Sequence, residues 1–433
     1  MQSFAVITVL QNPVFRRLWC LTMVGGLSIG ATLTTLGWVV VEESGSPLLV
    51  SLVLVSFLGP QIFAGAIGGA LADRFGRPRL IRLGTAARAV LSIVMALFLF
   101  VVPGELYPLF LINVFSSLTS GATIPARRAF MADIVPTRQL ASALALDEFA
   151  VTLMFIIGPV VTGTLLVFID PGFIFLTLAM ISMVAVVVVP NAPESGVARS
   201  ATLGSPVRDS FIHQLFAGFG YIRRSRLLMA VIAISLTAEM LAFNYMILVP
   251  VFAKEVFEGG SVLLGLLNGT MPAGELIGSA TMAFLAVRVS RPGRVLVISI
   301  AATFAIGIPL GASSWLPLTL VLLVAIGALA QVFFVTASTM LLRETPPEAR
   351  ARVLGLQQVT WGVGALGGLV SGAIASTLNP HLGVMIPSAL GFVVIVAIYA
   401  LSPELREGRY TFLSDDLEPE PPDRIVVSGQ SSD

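Results

Sequence analysis

Gly69-Ala-Leu-Ala-Asp73-Arg74-Phe-Gly76-Arg77-Pro-Arg79-Leu-Ile-Arg82 sets four arginines at the junction of two long apolar runs, 48–72 and 79–102. The same contrast returns at every second loop. Arg16 and Arg17 precede the first apolar run, and Arg127, Arg128 and Arg138 follow the fourth. Arg223, Arg224 and Arg226 follow the sixth, Arg288, Arg291 and Arg294 the eighth, and Arg343, Arg350 and Arg352 the tenth. The loops between hold Glu42, Glu43, Glu105, Asp170 and the only lysine, Lys254. Cationic loops stay on the cytoplasmic side during insertion. The alternation therefore predicts an all-α integral membrane protein of twelve transmembrane helices with both termini cytoplasmic.

The apolar runs fall at 15–41, 48–72, 79–102, 107–133, 140–168, 172–190, 226–252, 261–287, 293–313, 315–342, 351–378 and 382–402. Each has about 20 residues or more, enough to cross a hydrocarbon core of about 30 Å as helix. Lipid offers the backbone no hydrogen bonds, and runs of this length exceed a barrel strand.

Composition agrees. Of 433 residues 56% are apolar and 11% charged, under half the usual charged share for a soluble chain. Mean hydropathy is +0.95. A net charge of +1 points to no nucleic-acid partner; the sidedness of the charge carries the information. The lone Cys20 excludes an intramolecular disulfide and a thiolate metal cluster. His213 and His381 are far apart, so no metal site is expected. The sole lysine sits in Ala253-Lys254-Glu255, outside any phosphate-binding glycine loop, and no Gly-x-Ser-x-Gly elbow occurs. An enzyme is not expected.

The chain divides into a bundle at 1–190, a cytoplasmic linker at 191–225, a second bundle at 226–402 and a disordered acidic cytoplasmic tail at 403–433. In the linker Phe211, Leu215, Phe219 and Ile222 recur at helical spacing among basic residues, which suits an interfacial amphipathic helix or a packed linker helix equally. Val135-Pro-Thr-Arg-Gln-Leu-Ala-Ser-Ala-Leu-Ala-Leu146 aligns with Thr345-Pro-Pro-Glu-Ala-Arg-Ala-Arg-Val-Leu-Gly-Leu356 at a shift of 210. Two pseudo-symmetric six-helix bundles in parallel orientation follow, as in secondary transporters that bind substrate between repeats.

Gly69 to Arg77 resembles the loop signature of the major facilitator superfamily. Asn12 to Trp19, Pro125 to Pro136 and Leu215 to Arg224 are similar to the branch that contains enterobactin exporters and macrolide-efflux proteins. The resemblance covers about residues 12 to 402. It implies export of an amphipathic small molecule, siderophore or drug-like, by alternating access across the inner or plasma membrane. It also implies proton antiport, with the proton gradient in place of a cofactor, and a monomer in the bilayer whose other partner is its small-molecule substrate. The same fold leaves open an importer or a lysolipid flippase, and a different class would be a non-transporting receptor or assembly partner.

The resemblance places a cytoplasmic gate at Gly69, Asp73, Arg74, Gly76 and Arg77. Asp73 would face Arg127 or Arg128 and the start of the eleventh span, Arg352 to Leu356, and latch that side in the outward-open state. The related segment Val289 to Arg294 lacks the aspartate, so the latch is one-sided. Two departures stand out: Ser117 takes the place of the signature arginine in the fourth span, and Ala31 follows Gly30 where relatives carry aspartate.

A carboxylate at the bilayer centre costs about 2.5–3.5 kcal/mol, so one that persists invites a functional reading. Glu239, mid-way along the seventh span, suits a proton carrier or a recogniser of cationic substrate, against an internal hydrogen-bond brace. For Glu275, among the glycines of the eighth span, the brace is the stronger reading. Asp147 and Glu148 are expected to form gate ion pairs with Arg127, Arg128 or Arg138, and Arg88 either snorkels or joins them. The superfamily lines its cavity with spans one, four, seven and ten, which here offer Trp38, Asn113, Tyr245, Gln331 and Phe334. Gly158-Pro159 marks a kink in the fifth span.

Overall fold

The structure, a computed structural model, describes residues 8–190, 223, 225–243, 245–285, 289, 291–345 and 347–407. Six long helices form first: α1 (Pro13–Ser44), α2 (Pro47–Phe75), α3 (Arg77–Val101), α4 (Tyr107–Ile134), α5 (Thr137–Leu165) and α6 (Pro171–Val188). After the linker come α7 (Arg226–Thr237), α8 (Tyr245–Val251), α9 (Ser261–Leu285), α10 (Pro292–Ala312), α11 (Leu316–Arg343), α12 (Pro347–Thr377), α13 (Pro380–Leu401) and the short α14 (Pro403–Glu407). Among the described residues there is no strand. Each expected apolar run is helical over most of its described residues, and nine of the described segments are long and apolar enough to cross a bilayer. The less apolar α9 is not among the nine; it carries Asn268, Pro272, Glu275 and four glycines.

Two expectations need correction. The seventh span is not one uninterrupted helix: π turns at Ala238–Ala242 and Phe252–Val256 flank α8, and the first holds Glu239. The tail is ordered at its start, where Leu405 is buried and its carbonyl lies against Gly293. The linker before Arg223 and the chain after Glu407 lie outside the described residues.

Local chemistry sets the helix ends. Proline opens most helices at the first positions, where its missing N–H costs nothing. Asn12 Oδ1 accepts from the N–H groups of Val14 and Phe15, and its amide donates to the Ile134 carbonyl. One side chain thus caps α1 and ties it to the end of α4. Gly76 alone links α2 to α3; its φ of +83° is a conformation that side-chain-bearing residues seldom adopt.

Helix pairing repeats between the halves. In the first, α1 packs on α5, α2 on α4, and α3 on α4 and α6; in the second, α9 packs on α11, and α10 on α11 and α13. Two seams join them, α2 against α12 and α5 against α9. At the arginine-poor end a single buried apolar cluster spans both halves, from Leu36, Val40 and Val50 to Leu248, Phe252 and Leu264. At the arginine-rich end each half keeps its own cluster, around Phe15 and Phe130 in one and Leu228 and Phe333 in the other.

The seams are closed by small residues. A Cβ on Gly265 would collide with the Pro159 carbonyl, and one on Gly163 with that of Ser261; at the other seam Gly372 meets Ser51 and Pro47. Gly59, by contrast, faces open space. We expect Gly265→Ala to lower stability by about 1–3 kcal/mol through overpacking. Gly59→Ala should be neutral or stabilising, because alanine is the better helix former. Thermal unfolding of the two variants in the same detergent checks the contrast.

Candidate functional site

Ion pairs gather where α3, α4 and α5 end at the arginine-rich side. Arg77 pairs with Asp133 and also donates from Nη1 to the Ala129 carbonyl at 3.1 Å. Deeper in, Arg127 pairs with Asp147, which is fully buried and also accepts a hydrogen bond from the Thr22 hydroxyl of α1. Arg128 lies 3.7 Å from Asp147 and 2.7 Å from Glu148. The expected partners are thus brought together. These pairs connect helices within the first half and do not cross to the second. Gly69, Asp73, Arg74 and Arg352 fall on positions whose side chains lie outside the described residues. Among the described residues Arg88 joins neither Asp147 nor Glu148, which Arg127 and Arg128 occupy.

The second half holds the mid-membrane carboxyls. Glu239 is half-buried on its π turn, with Oε2 facing Gly364 of α12 at the seam. Its carboxyl forms no hydrogen bond or ion pair among the described residues. A π turn widens the helix by one residue and is a frequent mark of function. Glu275 on α9 is likewise without a hydrogen-bonded partner among the described residues, and the charge that reaches it is Glu148 across the seam.

The remaining cavity candidates separate into different roles. The Tyr245 hydroxyl donates to Met271 Sδ at 2.6 Å and is buried. Asn113 is buried inside the first half, where its amide donates to the Val53 carbonyl and the Ser56 hydroxyl, fixing α4 to α2. Trp38 packs against the cluster shared by the halves, while Gln331 and Phe334 are half-buried on α11. Gly158 rests on Leu27 of α1, and Pro159 meets both Gly30 of α1 and Gly265 of α9.

Sequence reasoning passed over one contact at the arginine-poor end. Lys254 Nζ donates to the carbonyls of Val41 and Glu42, at 3.1 and 3.2 Å. These are C-terminal carbonyls of α1, where a helix carries partial negative charge. Nearby Asn268 donates to Thr34 Oγ1 at 3.3 Å, also between halves. The sequence signal was the placement of the sole lysine in a loop otherwise free of cations.

The family profile described as transmembrane secretion effector matches residues 4–426. The enterobactin exporter EntS of Shigella boydii serotype 4 is 26% identical over 417 residues, spanning 92% of this chain and 94% of that protein. In three dimensions the chain is similar to a point mutant of the nucleoside transporter NupG, with TM-score 0.73 and 18% identity over 90% of this chain and 99% of that one. The D-xylose–proton symporter gives TM-score 0.69 and 15% identity, over 92% and 100%.

Three substitutions test the geometry. Asp147→Asn leaves Arg127 buried beside a neutral amide, and should cost about 3–5 kcal/mol in unfolding experiments. The exposed Arg128–Glu148 pair makes Glu148→Gln worth about 0.2–1 kcal/mol. Lys254→Met should loosen the arginine-poor end. Spin labels at positions 44 and 257, on a Cys20→Ser background, would then show a longer distance population than the parent protein.

Proposed function

Because this chain belongs to the transmembrane secretion effector family and has the major facilitator fold of a multi-pass membrane protein, we propose that it is a secondary active exporter working by alternating access. Its cargo on this reading is an amphipathic small molecule, siderophore-like or drug-like, as the name of the EntS relative suggests. The inner or plasma membrane is its place, with the arginine-rich end in the cytoplasm as retention of cationic loops requires.

The carrying observation is Glu239, a carboxyl with no partner among the described residues, on a π turn beside a seam helix. A carboxyl removed from water favours its neutral form until a cation or an opening to solvent draws the proton away. Placed beside a seam between halves, Glu239 can load a proton from one side and release it to the other as the halves rock. Glu275 is the second candidate. The first half contributes Trp38, and the second Tyr245, Gln331 and Phe334, as apolar wall with few polar anchors.

Alternation needs both ends to close in turn. Closure of the arginine-poor end rests on the shared apolar cluster and on Lys254. For the opposite end the proposal is a latch of Asp73 and Arg74 against the eleventh span, steadied by Gly76, Arg77, Arg127, Arg128, Asp147 and Glu148.

Efflux from proteoliposomes under an imposed pH gradient tests the coupling. Gradient-driven flux in Glu239→Gln should fall to the level seen without a gradient, while Glu275→Gln keeps a partial response. An unchanged gradient dependence in Glu239→Gln removes this residue from the coupling role.

A further inference from the structure

Five of the first six helices, α1 to α4 and α6, line a cavity that the coupling and the gate do not use. Its free volume is about 20 Å³, room for one small charged group. Ser28 and Thr32 of α1, Arg88 and Ser92 of α3, and Asn113 and Ser116 of α4 line it. Phe57 and Phe175 form its aromatic sides.

Arg88 is the anomaly. Its Nε is shut away from solvent with no hydrogen-bond partner, and its guanidinium makes no ion pair among the described residues. The guanidinium lies along α1 at Gly25, where a Cβ would approach Nη1 to 3.4 Å. A guanidinium inside a membrane protein ordinarily faces a partner, because an uncompensated charge there is costly.

The cavity also presents uncommitted polar groups. Asn113 spends its amide N–H groups on Val53 and Ser56, yet its Oδ1 is buried without a donor. The hydroxyls of Thr32, Ser92 and Ser116 have no hydrogen-bond partner among the described residues. A buried cation, one orphan acceptor, three hydroxyls without a partner among the described residues and two aromatic rings line one pocket and together define a complementary ligand. It carries an oxyanion, and beside it a hydroxyl able to donate.

We propose that this cavity is an oxyanion subsite, where Arg88 takes a carboxylate or phenolate of the transported molecule and Asn113 Oδ1 takes an adjacent hydroxyl. The inference deepens the exporter reading and rests on it for the word "transported"; the anion binding itself does not. Arg is suited to the task because its planar fork presents several donors to one oxyanion.

The probe is salicylate, an aromatic carboxylate with a neighbouring hydroxyl, added to the purified full-length protein. Benzoate, neutral salicylamide and sodium chloride at matched ionic strength are the comparisons. Salicylate should raise the melting temperature saturably, benzoate less, and salicylamide and chloride not at all. In Arg88→Gln the salicylate affinity should fall about tenfold or more, as loss of hydrogen bonds to a charged group implies. Arg88→Lys should recover part of it, and Asn113→Ala should bring salicylate and benzoate together. If Arg88→Gln does not fold, Ser92→Ala with Ser116→Ala takes its place, and weaker salicylate binding is again expected. Equal stabilisation of parent and Arg88→Gln proteins, or a salicylate effect no larger than that of chloride, overturns the subsite. Flux measured on the same preparations separates the two ideas: efflux without salicylate binding overturns the subsite alone, whereas salicylate binding without efflux overturns the exporter and keeps the subsite.

Discussion

A charge in hydrocarbon has no water to solvate it, and nearly everything about this protein is arranged around that cost. The arginines of alternate loops sit at helix ends on one face, where solvent and lipid headgroups receive them. Where a charge does enter the helices it must be answered. Arg127 and Asp147 answer each other, with Thr22 filling a further lone pair of the carboxylate. Lys254 turns to backbone carbonyls at the end of α1. Glu239, Glu275 and Arg88 find no such answer among the described residues.

The seams between the halves obey a second constraint. In lipid there is no hydrophobic drive between helices to compensate for a poor fit of large side chains. Close backbone approach supplies the contact instead. Gly163, Gly265 and Gly269 let α5 and α9 touch along their backbones, and Gly372 does the same for α12 on α2. The pairing is related by the internal repeat: α5 starts at Thr137 and α12 at Pro347, with the shift of 210 that the sequences of those segments share. Two copies of one packing solution therefore face each other, joined by a single apolar cluster at one end only.

The residues picked for a gate illustrate how far side-chain chemistry reaches without geometry. That Asp147 and Glu148 would pair with Arg127, Arg128 or Arg138 could be read in advance, since they lie near the same membrane depth on consecutive helices; which arginine meets which carboxylate could not. That the pairs stay inside the first half could not, because it depends on how α4 and α5 turn about their axes. Asn113 shows the same limit. Its polarity in the fourth span suggested a cavity contact, whereas its amide binds α2 and only its oxygen is left over.

Hydropathy and the placement of arginines were sufficient, in the sequence alone, for the class of protein and its helical spans, because insertion responds to local composition segment by segment. The break of the seventh span at Glu239, the strut from Lys254 and the isolation of Arg88 needed the tertiary structure. Each depends on which groups from distant helices reach the same few ångströms, and whether a buried charge finds a partner is decided there, not in its own stretch of chain.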